Sequence, residues 1–531
     1  MNQRYFETCG PVDPKKNYVV SRQTEIAQLV ELIKNGRYIV IFAPRQTGKT
    51  TFFRWALDAL VAEDKSYFPI QLDFEAYKNI SVSDFYHYLH IDLCKQILYN
   101  FQLVSLEPPQ SLRDFLANYA ISNHLSMITF FEQISHHLNK RVIIIIDEFD
   151  GIPTAAVSDF LYALRRIYLS NNQQRCPYSL GIIGVKNITQ LNYDRSISPF
   201  NIQDDFALAN FTFSQVKELF GQYRQEAKQE IEEAVIENVY QQTVGQPFLV
   251  NRLAQILTTK MEISGIIKQK HFELAHQQLL DEQNVHLAHL TTNIRQNPRF
   301  ESLLMGIISY DVGIRFNLRH ELISELATYG VLKKGGDSLC EIANPIYQYC
   351  IVQTFQPLIN GLERQYLPEE AEQGFFDYLT PNNQINMPQL LKNFSHFIAR
   401  AGYQILQVPK TPQEFIGQTL LFSYLDTFVR QIHGFMYLEV STGRGRMDLI
   451  ILHQREKYIV ETKIWQGKKS FMAGQRQLAK YLKLEQVKTG YYVVFDHRVK
   501  AQAQEERNVI EGCVIFSYVI PVLQKEPSNA N

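Results

Sequence analysis

The chain has 531 residues, 45% of them hydrophobic and 12% aromatic, enough apolar mass for about three globular cores. Its 53 basic and 54 acidic residues leave a formal net charge of −1, which excludes a bulk nucleic-acid binder and leaves only a local basic surface for such contacts. No apolar run approaches the roughly 20 residues of a membrane span, the opening MNQRYFETCGP lacks a leader's apolar core, and six cysteines without C-x2-C pairs point to a reducing cytoplasm and away from zinc.

The first strong element is RYIVIFAPRQTGKTTFF, residues 37–53. An apolar strand, Ile39–Phe42, runs into APRQTGKT and then into a helix, the order a phosphate-binding P-loop requires. The backbone N–H groups of Gln46, Thr47, Gly48, Lys49 and Thr50 are expected to cradle phosphates at the helix N-terminus. Lys49 would reach the β- and γ-phosphates of ATP, and the Thr50 hydroxyl would hold Mg2+. Ala43 stands where the first glycine of the pattern usually lies, a small and tolerable departure.

About a hundred residues later, RVIIIIDEFDGIP (141–153) reads as a strand buried on both faces that ends in carboxylates. Asp147 would hold the Mg2+ through water, and Glu148 would polarise the attacking water. FPIQLDF (68–74) and YSLGIIGV (178–185) supply two more strands between helical stretches, which predicts a doubly wound parallel-sheet α/β core over 1–205. Asn187 reads either as a polar sensor or as an ordinary loop residue, and Arg165, Arg166 and Arg195 either as arginine fingers or as solvated charges.

These motifs resemble bacterial AAA-like ATPases near the STAND and archaeal-ATPase groups. FETCGPVDPKKNYVVSRQTEIAQL is similar to the family's N-terminal segment, and VGQPFLVNRLAQIL (244–257) to the G-x-P motif of its lid. The resemblance implies that Val19 to Arg22 lie beside the adenine and that Pro247 contacts the nucleotide from a helical lid over 206–280. It also implies association of copies through the ATPase domain.

Residues 281–360 follow a helix, helix, two-stranded wing and helix order, with the wing turn at Gly335-Gly336, which is a winged-helix pattern. Its recognition-helix position, about 319–329, carries Arg319, His320, Glu321 and Glu325, a mixture poor for DNA, so a structural or autoinhibitory module is expected. Residues 361–385, with an acidic cluster and a P-N-N turn, read as a linker.

The last region, 386–524, holds GRGRMDLIILHQREKYIVETKIW (443–465). MDLIIL (447–452) and YIVETKI (458–464) read as two antiparallel strands joined by a polar turn. Alternation puts Glu461 and Lys463 on one face, and Asp448 on the neighbouring strand would bring two carboxylates and an ammonium together. Two carboxylates with water and phosphate oxygens suit Mg2+. A following helix carries Gln477 and Tyr481 at i and i+4 among Lys468, Lys469, Arg476, Lys480, Lys483 and Lys488.

This D-x12-E-x-K pattern with Q-x3-Y resembles the PD-(D/E)xK nuclease superfamily, in its RecB-like branch. The resemblance implies a restriction-endonuclease-like α/β domain, with Asp448 and Glu461 as metal ligands for Mg2+ or Mn2+ and Lys463 as the catalytic lysine. Gln477 and Tyr481 would contact DNA or support the site, and Glu439 (or Glu414) would be an accessory acid. The whole order of parts is similar to ATPase–nuclease fusions and implies an ATP-regulated DNA nuclease, with defence against foreign DNA as the analogous role. The competing expectation is a nucleotide-switch scaffold whose nuclease-like domain does not cleave and binds DNA or a partner.

Overall fold

A computed structural model describes residues 4–522, apart from 45, 171–174, 185–201, 283–284, 310–312, 355–377, 406–412, 440–446, 455 and 499. The chain divides into two compact units. The first comprises Met1–Glu230, Gly245–Gln255 and Thr328–Gly330, and the second Ile231–Val244, Ile256–Ala327 and Val331–Asn531.

The first unit is built on a sheet of five strands: β1 (Tyr38–Phe42), β2 (Tyr67–Asp73), β3 (Arg141–Asp147), β4 (Ser179–Gly184) and β5 (Gln203–Asp205). They lie in the order β2-β3-β4-β1-β5, and every neighbouring pair is parallel. The unbroken apolar run of β3 has a simple cause: both of its faces are buried. Val142, Ile144 and Ile146 face a core with Phe74, Phe85, Phe130 and Phe160, while Ile143 and Ile145 face Ile39, Ile41, Phe52 and Phe53. Helices Gln23–Lys34 and Lys49–Glu63 cover the second face, and helices Val82–Leu103, His124–Leu138 and Thr154–Leu169 the first. Burying each such isoleucine contributes about 1.5–3 kcal/mol.

In the second unit, two short strands, β6 (Leu332–Lys334) and β7 (Cys340–Ile342), form an antiparallel wing between helices Glu321–Thr328 and Pro345–Thr354. The larger sheet has six strands: β8 (Phe435–Glu439), β9 (Met447–His453), β10 (Glu456–Ile464), β11 (Thr489–Asp496), β12 (Gln504–Ile510) and β13 (Cys513–Pro521). Their order is β12-β13-β11-β10-β9-β8, parallel from β10 through β11 to β13 and antiparallel elsewhere. Helix Lys468–Leu484 covers one face through Phe471, Leu478, Ala479 and Leu482, packed on Ile459, Tyr492, Val494 and Ile515.

Three features go beyond the sequence reading, the first being the short strand β5 at the end of the parallel sheet. The hairpin β12–β13 is unforeseen; its turn is Glu511-Gly512, both with positive φ (52° and 85°), a pair that tight hairpins accept. The described end of the expected linker is not loose. The Ile385 N–H donates to the Tyr458 hydroxyl at 2.9 Å, and a ring nitrogen of His453 lies 2.9 Å from the Asn383 carbonyl, so residues 383–385 are bonded to β9 and β10.

Candidate functional site

The loop between β1 and helix Lys49–Glu63 has the backbone of an anion cradle. Gln46 and Gly48 both take positive φ (58° and 84°), turning successive N–H groups inward ahead of the helix. The Thr47 hydroxyl donates to the Pro44 carbonyl at 2.9 Å, fixing the turn. Lys49 Nζ donates to the carbonyls of Ala43 and Pro44, each at 2.8 Å. At the end of β3, the Asp147 carboxylate accepts from the Thr50 hydroxyl at 2.7 Å and from the Glu148 N–H at 3.0 Å. Glu148 itself sits in the left-handed region, φ 48°, which turns it out of the strand direction just past the carboxylate.

Two further segments of this unit reach the loop. Pro247 is the first residue of helix Pro247–Gln255, where its missing N–H costs nothing. The residue before it, Gln246, was not singled out from the sequence. Its side chain accepts from the Leu249 N–H at 2.7 Å and reaches the Gln46 carbonyl at 3.4 Å, so the G-x-P segment meets the P-loop. Gly330 approaches from far along the chain: a Cβ there would lie 2.3 Å from Pro44 Cγ. Arg22 is buried, donates to the Ala209 carbonyl at 2.9 Å and lies over the Phe211 ring at 4.9 Å. Burial lowers its pKa, with Glu25 opposing. Asn187 and Arg195 lie outside the described residues.

The second site is set by ladder register. Asp448 on β9 pairs with Glu461 on β10 and with Glu439 on β8, so three acidic positions form one row across three strands. Asp448 and Glu439 are described in backbone only, and Glu414 lies in the backbone-only start of helix Gln413–Gln431. Glu461 and Lys463 are described fully. They are 1% and 6% exposed, and Lys463 Nζ lies 3.6 Å from Glu461 Oε1. Lys463 Nζ also donates to Gln477 Oε1 at 3.4 Å, which joins the strand to helix Lys468–Leu484. Gln477 is exposed, whereas Tyr481 is half-buried with its hydroxyl shielded from solvent and without a hydrogen-bond partner among the described residues.

The helix can lie this close because of Gly474, where a Cβ would sit 2.1 Å from the Tyr492 hydroxyl. A buried bond from Gln475 Nε2 to Ser517 Oγ, at 2.9 Å, ties the same helix to β13, a strand that the sequence reading missed although its apolar run CVIFSYVIP is a strand signal. Of the expected basic positions, Lys468, Lys469, Arg476 and Lys480 are exposed, while Lys483 is paired with Glu511 at 2.9 Å. No group of three or more His, Cys, Asp or Glu side chains arranged to hold a metal occurs among the described residues.

A five-stranded parallel sheet with a P-loop after β1 and a carboxylate at the end of β3 defines a P-loop ATPase class. The chain belongs to the AAA-like domain family, whose model matches residues 8–351. Residues 386–499 match a domain of unknown function, DUF8371. No protein of curated function matches the chain. Among solved structures, the Walker-type ATPase paby2304 of Pyrococcus abyssi is 16% identical, with 65% of this chain and 99% of that chain covered at a TM-score of 0.45. The Aeropyrum pernix Orc1 protein in complex with DNA is 14% identical, covering 63% and 93% at 0.30. The Thermotoga maritima RuvB Holliday junction branch migration motor is 15% identical, covering 62% and 94% at 0.32.

The family and its P-loop imply ATP binding, typically with Mg2+. The residues fit that pair: a backbone cradle for phosphates, and a hydroxyl and a carboxylate 2.7 Å apart as hard oxygen donors. Among the described residues, no helix is long and apolar enough to cross a membrane.

Proposed function

We propose that the protein is an ATP-regulated, metal-dependent DNA nuclease, in which the AAA-like ATPase controls a C-terminal restriction-endonuclease-like domain of RecB type. The observation that carries this reading is the register row Glu439–Asp448–Glu461, with Lys463 two residues further along the same face. Asp448 and Glu461 hold Mg2+ or Mn2+, with Glu439 as an accessory acid; facing carboxylates suit a hard cation. Bound there, the ion supplies a water of lowered pKa and neutralises charge on a phosphodiester.

Lys463 positions that water or offsets charge building on phosphorus, and its bond to Gln477 sets where the ammonium stands. Tyr481 supports the site, and the exposed Lys468, Lys469, Arg476 and Lys480 meet DNA phosphates. In the ATPase, Gln46 to Thr50 hold the phosphates, Thr50 and Asp147 the Mg2+, Arg22 lies beside the adenine, and Pro247 contacts the nucleotide from the lid. Glu148 orients the hydrolytic water. The domains run 1–205, 206–280, 281–360 and 386–524, copies associate through the ATPase, and the biological role is defence against foreign DNA in the cytoplasm.

A second reading has an observation of its own. Glu461 and Lys463 are buried and paired with each other, which equally suits a structural ion pair in a nucleotide-switch scaffold that binds DNA or a partner without cutting. Linear and circular DNA incubated with Mg2+ or Mn2+, with and without ATP, separates the two. The nuclease reading expects metal-dependent cleavage that Lys463→Ala abolishes and Lys49→Ala uncouples from ATP. Cleavage that survives Lys463→Ala in clean protein defeats the site, and no metal-dependent cleavage in any arm leaves the scaffold.

A further inference from the structure

Helix Gln413–Gln431 touches three parts of the second unit that are far apart in sequence. At its C-terminal end, Arg430 donates to Asp281 at 2.7 Å, to Asp426 at 2.9 Å and to the Tyr349 hydroxyl at 2.8 Å. Asp281 ends helix Gln269–Asp281, and Tyr349 lies in helix Pro345–Thr354, which follows the wing. Tyr349 adds an edge-on ring contact with Phe422 at 5.2 Å. Asp426 is largely buried, so its charge depends on Arg430 and the Tyr349 hydroxyl.

Twelve residues before Arg430, which is about 18 Å along a helix, the fully buried Gln418 donates to the Thr462 hydroxyl at 3.3 Å. Thr462 lies between Glu461 and Lys463 on β10 and faces the opposite side of the sheet. The helix is seated firmly at this end. A Cβ on Gly417 would lie 2.4 Å from the Phe495 ring on β11, the strand beside β10. Any axial shift or rotation of the Arg430 end therefore reaches β10 through Gln418 and Thr462, because packed helices and strands move as bodies.

We propose that helix Gln413–Gln431 transmits nucleotide state to Glu461 and Lys463, with Arg430 as the positioning residue that latches it to Asp281 and Tyr349. The proposal rests on the nuclease reading for what Glu461 and Lys463 do, and its test does not depend on cleavage. Helix Gln269–Asp281 lies downstream of Pro247–Gln255, which carries the G-x-P segment, and of a π-helical turn at Ile256–Lys260. That turn ends the helix, and residues 261–268 join it to helix Gln269–Asp281.

The test is amide hydrogen exchange on the full chain, with and without ATP and Mg2+. Two variants are compared: Asp281→Asn, which removes the charge from one exposed latch contact, and the double variant Asp426→Leu/Arg430→Met, which removes the ions without stranding a buried charge. In wild type, ATP is expected to change exchange at Glu461–Ile464 on the order of fivefold, the low end of ordinary coupling. In the double variant that change is lost while the ATP-dependent change at Lys49–Phe53 persists; Asp281→Asn gives an intermediate loss. The proposal is overturned if wild type shows no ATP-dependent change at Glu461–Ile464, or if the double variant keeps it in full. DNA cleavage measured alongside reports on the nuclease reading alone.

Discussion

The two candidate sites differ in what they are made of. The P-loop is a backbone device: two positive-φ residues, a helix N-terminus and a strand end fix its donors, and its parts lie within a few residues of Lys49 or on β3. The C-terminal row is a side-chain device, and its acidic positions come from three strands that meet only through ladder register. A backbone cradle tolerates loss of one side chain better than a row whose proposed chemistry lies in its side chains. Register is also all-or-none, since a slip of one residue would send Glu461 and Lys463 to the opposite face.

The sharpest way to separate the regions is Lys463→Ala. DNA cleavage is expected to fall on the order of a thousandfold or more, as when one preorganised transition-state donor is lost, with ATP turnover unchanged. A parallel loss of ATP turnover would show that the substitution disturbs more than the C-terminal site. Next comes Lys49→Ala. Nucleotide affinity should weaken about tenfold to a hundredfold, because a bond to a charged group contributes ~1.5–3 kcal/mol, and cleavage should lose its ATP dependence. Equilibrium binding of a fluorescent ATP analogue checks the first half of this prediction.

Packing gives a smaller contrast. A Cβ on Gly151 would sit 1.9 Å from the Phe74 carbonyl, which is backbone, whereas on Gly474 it would meet the far end of Tyr492 at 2.1 Å. Gly151→Ala should therefore destabilise by about 3 kcal/mol and Gly474→Ala by nearer 1, the two ends of the overpacking range. Denaturation midpoints would read this, and equal losses would mean that Tyr492 cannot yield.

The last effect is on pH. Burial pushes His276 from 6.5 down to about 3, so the folded ring stays neutral where the unfolded one takes a proton. Its contribution is complete above pH 6.5 and is lost as pH falls toward 3, at ~1.4 kcal/mol per unit. Packed edge-on against Phe435 at 5.1 Å, it should accept His276→Phe, which flattens the acid limb of the second unit. An unchanged slope between pH 7 and 5.5 in urea titrations would place the acid sensitivity elsewhere.

Legibility followed the same division. Strands β1 to β4 of the first unit were readable because a sheet buried on both faces demands unbroken runs such as IIII, and the P-loop because its spacing is local, whereas β5, the polar QDD, was not. The strands β9 and β10 and the pairing of Asp448 with Glu461 were also readable, from β-branched runs around a polar turn. β12 was not, since QEERNVI is an edge strand with little apolar alternation and the Glu-Gly turn is a weak signal, and β13 was missed although CVIFSYVIP is an apolar run. Gln246, Gln418 and Gln475 escaped because a glutamine on a helix carries no mark of what it will meet.

By itself, the sequence determined the parallel ATPase core, the cradle at Gln46–Thr50 with its Asp147 partner, and the acidic and basic residues at the C-terminal hairpin, because periodicity and turn chemistry are local and survive without neighbours. Only the tertiary structure decided that Gln246 and Gly330 close on the P-loop, that Gln477 bonds Lys463, and that Arg430 gathers Asp281, Asp426 and Tyr349. Each of these depends on how elements pack across scores of residues, and packing is settled by shape and burial rather than by any pattern along the chain.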